Sequence, residues 1–106
     1  MNEKWLVKIT VVKRLFNKDL VAECGSGDWV PCSRLQDNQE FFTDGEMPEG
    51  FCSWAWNDII KYVVTLTRGG DFIGSKKGYT VASCSDGYRP VIFKLERMEH
   101  KNPEEI

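Results

Sequence analysis

Apolar and polar residues alternate along this chain with two different periods, and those periods mark out its elements. Between residues 5 and 13, WLVKITVVK, the side chains of Val7, Ile9 and Val11 fall on one side and those of Lys8 and Thr10 on the other. A repeat of two predicts a half-buried strand. From residue 51 to residue 70, FCSWAWNDIIKYVVTLTRGG, the period lengthens, and Trp56, Ile59, Ile60, Val63 and Leu66 recur at the spacing of one helical face. Asn57, Asp58, Lys61, Thr65 and Arg68 occupy mostly the opposite face. Ser53 is the expected N-cap, its hydroxyl accepting from a backbone N–H one turn in. Asp58 and Arg68 suit the helix dipole, and Gly69-Gly70 ends the helix because glycine adopts the left-handed conformation at low cost. Val63 and Val64 are poor helix formers, so burial must hold this segment rather than propensity.

A second alternating region predicts a β-hairpin over 79–84 and 89–97, turning at Asp86-Gly87. The expected pairs are Cys84 with Arg89, Ala82 with Val91 and Thr80 with Phe93. Pro90 has no N–H to give a ladder, which favours a loop over 85–88 to a tighter turn. Ala82, Cys84, Val91, Phe93 and Leu95 then share the core face. Between these features lie a turn or short helix over 18–24, an irregular stretch over 28–38 anchored by Trp29 and Leu35, and a short strand over 40–43. Residues 46–50 and 71–78 read as loops, and the polar tail from about residue 99 reads as frayed. The simplest way to bury these stripes is an α+β fold: a small, mostly antiparallel sheet, one long helix packed on a face, and a C-terminal hairpin. The sheet's other face then needs cover, for which a symmetric homodimer is the commonest solution.

Composition narrows the function more than the fold. At 106 residues the chain reads as one domain with a real core. A net charge of -2, with no Lys/Arg run longer than two residues, argues against a nucleic-acid partner. The opening MNEKWLVK lacks a signal peptide's apolar run, and no stretch approaches the roughly 18 apolar residues of a membrane span. A cytoplasmic address is expected, with no membrane partner and with the four cysteines kept as thiols.

The common catalytic templates are missing. The one histidine, His100, lies in the polar tail and reads as solvated, so neither a Ser–His nor a Cys–His pair is expected. There is no glycine-rich phosphate loop and no EF-hand spacing, and Asp44, Glu46 and Glu49 read as a solvated loop; no cofactor is indicated. The cysteines are separated by seven, nineteen and thirty-one residues, without a C-x-x-C pair. Thiols packed as small hydrophobes are the plain reading, and Cys24 is assigned to it. A thiolate metal site from Cys32, Cys52 and Cys84, with Cys24 as a fourth ligand, is an alternative that the lack of a chelating pair weakens.

Cys52 and Cys84 call for more. Cys52 precedes the helix at its positive end, and Cys84 faces Arg89 across the predicted hairpin; both settings favour a thiolate. Trp54 and Trp56 follow Cys52 and diverge by about 200° on a helix, so one of them should line a groove. The plainer alternative is that Trp54 caps the core edge and Arg89 solubilises the hairpin tip. The functional expectation is a pocket made by Cys52, Trp54, Trp56, Cys84 and Arg89, holding an anionic or electron-rich small molecule. An enzyme using Cys52 as nucleophile is a further alternative without a visible base.

The blocks MPEGFCSWAWNDIIKYVVTL and CSDGYRPVIFKLER, with KITVVKRLFNKDL and Pro31-Cys32, resemble an uncharacterised family of short bacterial and archaeal proteins of about this length. Its marks are a Gly-Phe-Cys-x-Trp-Ala-Trp segment and a Cys-x-Asp-Gly-x-Arg-Pro-Val-Ile-Phe segment. Relatives carry proline where Ser53 stands and a doubled cysteine where Ser83-Cys84 stands. The resemblance implies a compact module and no assigned activity. The departure at Ser83 leaves one thiol fewer and weakens a metal site further.

Overall fold

The computed structural model describes residues 4–99. His100 and the polar tail beyond it lie outside the described residues. The fold is α+β: β1 (Val7–Arg14), α1 (Lys18–Cys24), β2 (Glu40–Thr43), α2 (Ser53–Thr67), β3 (Tyr79–Ser83) and β4 (Val91–Arg97). The four strands form one antiparallel sheet in the order β2-β1-β4-β3, which puts the earliest and the latest strand side by side at its centre.

The sheet's inner face is the one alternation predicts. Val7, Ile9, Val11, Phe41, Ala82, Val91, Phe93 and Leu95 are buried there, and α2 lays Ala55, Trp56, Ile59, Val63 and Leu66 against them. Phe51 enters just before the helix, its ring edge-on to those of Phe41 and Trp56. The outer face is polar at its centre, where Lys8 lies 3.7 Å from both Glu40 and Glu96. Phe42, Tyr79 and Val81 are exposed around it. No helix among the described residues is long and apolar enough to cross a membrane.

The end of α2 is a Schellman turn: Gly70 N–H donates to Thr65 O and Gly69 N–H to Leu66 O, with Gly69 at φ +88°. Its start differs from expectation. Cys52 is the N-cap residue, Ser53 is already helical, and no side chain caps the first turn. Asp58 lies beyond that turn, and its Oδ2 accepts the N–H of Ser85 at 2.8 Å. Cys24 is also corrected: α1 buries none of its residues, so this thiol is exposed instead of packed in the core.

The hairpin register is displaced by two residues from the expected one, pairing Ala82 with Phe93 and Thr80 with Leu95. An even displacement keeps every side chain on its predicted face. The loop is wider because its tip has other partners. Leu15 N–H donates to Pro90 O, Asn17 N–H to Tyr88 O, and Asn17 Nδ2 to Gly87 O. The tip therefore pairs with the chain that continues from β1 instead of closing on β3.

Candidate functional site

Three segments converge beside the start of α2 and enclose a cavity of about 500 Å³. Leu35, Ala55 and Val91, all buried, supply its apolar lining. Cys32 and Arg34 come from the irregular stretch after α1, Cys52 and Trp54 from the helix start, and Cys84 through Arg89 from the hairpin tip. The helix start and the hairpin tip are thus brought together, tied by the bond from Ser85 N–H to Asp58.

Four of the five expected pocket residues line this cavity: Cys52, Trp54, Cys84 and Arg89. The fifth does not. Trp56 is 8% exposed and belongs to the core, its ring 5.9 Å from that of Phe51. Trp54, 70% exposed, is the tryptophan at the rim, as the angular divergence of the two positions requires.

Arg89 is not opposite Cys84 and is not a free cation. Its Nε donates to Asp86 Oδ2 at 3.1 Å, and its guanidinium lies 5.0 Å from the Trp29 ring centroid. The Trp29 ring in turn packs against Tyr88, with centroids 4.6 Å apart. Asp86 also accepts the N–H groups of Tyr88 and Arg89 through Oδ1, which shapes the loop. Burial pushes the Asp86 carboxyl up, but the Arg89 side chain, these two N–H groups and the Arg89 charge together hold it below its ordinary value of 3.8. Opposite Cys84 stands Val91: Cys84 N–H donates to Val91 O at 3.0 Å, and Val91 N–H donates to Cys84 Sγ at 3.2 Å.

The irregular stretch adds what periodicity could not find. Arg14, at the end of β1, donates through Nη1 to the carbonyls of Cys32 at 2.7 Å and Leu35 at 3.2 Å. Its Nε meets Asp37 Oδ1 at 2.9 Å. This clamp fixes the wall that carries Cys32 and Arg34. Arg34 is exposed and makes no hydrogen bond or ion pair with the described residues, so it is the uncommitted cation of the cavity. Two guanidiniums and one carboxylate line the space, a formal charge of +2 - 1 = +1. Three thiols from three segments border it, but no group of three or more His, Cys, Asp or Glu side chains among the described residues is placed to hold a metal ion.

No family model, curated protein or solved structure matches the chain.

Proposed function

We propose that the protein binds a small anionic or electron-rich molecule in this cavity. The observation that carries the reading is the meeting of an uncommitted Arg34, an exposed Trp54 ring and three thiols around one apolar floor. A volume of about 500 Å³ suits a small organic molecule. The flat face of Trp54 offers contact area at low entropic cost, and Arg34 offers a planar fork for a carboxylate, sulfonate or phosphate. Asp86 offsets Arg89, so selection for an anion falls to Arg34 and to the uncapped start of α2. Four unpaired cysteines, one of them exposed, fit a reducing compartment such as the cytoplasm.

Thiol footprinting tests this with the chain as its own control. Anilinonaphthalene sulfonate, an anionic aromatic dye, should slow alkylation of Cys32, Cys52 and Cys84 and leave Cys24 unchanged, because Cys24 is exposed on α1 and does not line the cavity. Arg34→Ala should weaken dye binding by roughly tenfold, the equivalent of one charge-assisted hydrogen bond. Equal slowing at all four cysteines, or none, would defeat the reading.

A further inference from the structure

The cavity joins two chemistries: a cation with no partner among the described residues and a set of thiols. We propose that Cys52 forms a mixed disulfide with a small disulfide that carries carboxylates, so that the cavity is a site of reversible S-thiolation. The inference rests on the anion-binding reading above and adds the reactive group of the ligand.

The three cavity thiols are not equivalent. Cys84 Sγ accepts the N–H of Val91, which engages one of its lone pairs. The Cys32 sulfur makes no hydrogen bond with the described residues, but its segment is fixed by Arg14 through the carbonyls of Cys32 and Leu35, whereas Cys52 stands at the positive start of α2. Cys52 is the N-cap residue of α2, yet its side chain makes no capping bond, so its sulfur keeps its lone pairs free. It lines the same cavity as Trp54, whose exposed ring can lie along an incoming molecule. The carboxylate end of that molecule then meets Arg34.

The step balances without a further reagent. The Cys52 thiolate attacks one sulfur of the ligand R–S–S–R; that S–S bond breaks and a protein S–S–R bond forms. The departing RS⁻ takes a proton from water. Cys52 is oxidised, one half of the ligand is reduced, and excess small thiol reverses the exchange. The positive cavity lining attracts an anionic reagent and repels a cationic one, which makes charge the discriminating variable.

The experiment compares dithiobis(nitrobenzoate), a disulfide with two carboxylates, with cystamine, a disulfide with two ammonium groups. Each is added to the native full-length chain, and adducts are mapped by peptide mass. Cys24, exposed on α1, is the internal standard. With the anionic reagent, about one equivalent should appear first on Cys52, its rate relative to Cys24 about tenfold above the same ratio with cystamine. Arg34→Glu should remove or reverse that preference while Cys24 stays unchanged. Cys52→Ser should abolish the fast phase and leave the rate at Cys24 unchanged. Labelling led by Cys24 with both reagents, or a Cys52 rate indifferent to reagent charge, overturns the proposal. If the dye still binds and protects the cavity thiols, the covalent step alone has failed; if the dye does not bind, the reading beneath it has failed too.

Discussion

Arg14→Met is the sharpest probe of how the cavity is held together. The substitution keeps most of the aliphatic stem and removes the guanidinium, so it isolates the bonds to Cys32 O, Leu35 O and Asp37. Hydrogen bonds from a charged donor are worth about 1.5–3 kcal/mol each, and these two carbonyls are only partly buried, which places them at the low end. The Asp37 carboxylate is 53% exposed, so that pair adds less than about 1 kcal/mol. The sum is a loss of about 3–4 kcal/mol, a large part of the stability of a chain this size. In urea this should lower the midpoint by on the order of 1 M, with little change in slope. The same substitution should release the wall: Cys32 should alkylate faster relative to Cys24, and dye affinity should fall. A loss under about 0.5 kcal/mol with an unchanged Cys32 rate would refute the clamp and leave Leu35 burial, the Trp29 ring contacts and the backbone bonds of Asn38 and Gln39 with Val11 to hold the stretch.

The paired tryptophans should separate stability from binding. Trp56→Ala should cost about 3–5 kcal/mol in chemical denaturation, whereas Trp54→Ala should stay within about 0.5 kcal/mol and weaken the dye; similar losses from both would contradict their different burial. Asp86, held below 3.8, contributes stability that is present above that value and lost as pH falls through its lower value in the fold. Amide exchange at Tyr88 and Arg89, measured toward acid, should accelerate below pH 3.8, and Asp86→Asn should remove that transition. Loosening that sets in well above that pH, or that survives the substitution, would reassign the loop's order to the Trp29 and Tyr88 rings.

Periodicity made β1, α2 and the faces of the hairpin legible, because each element has one buried stripe and a single phase that buries it. The stretch Glu40–Thr43 was legible for the same reason. The hairpin register was not, because Asp86 and the 15–17 segment compete for the loop's backbone, and neither appears in a two-strand pattern. Of the cavity, Cys52, Trp54 and Cys84 could be inferred from a helix start and a turn lying together. Arg34 and the Arg14 clamp could not. They act on an aperiodic stretch whose course is set by side-chain bonds to carbonyls. Arg89 was found for the wrong reason: it lines the cavity, but its charge is matched by Asp86.

The pairing of β1 with β4 has a consequence for the order in which this protein can be made. During synthesis β1 leaves the ribosome long before the strand that flanks it, with only the short β2 to cover one edge meanwhile. The interior cannot close until translation has passed Arg97, so the nascent chain must wait with its most apolar segments uncovered. Stalling or truncation within the last strand should therefore yield a substrate for chaperones and proteases, not a shortened but native module.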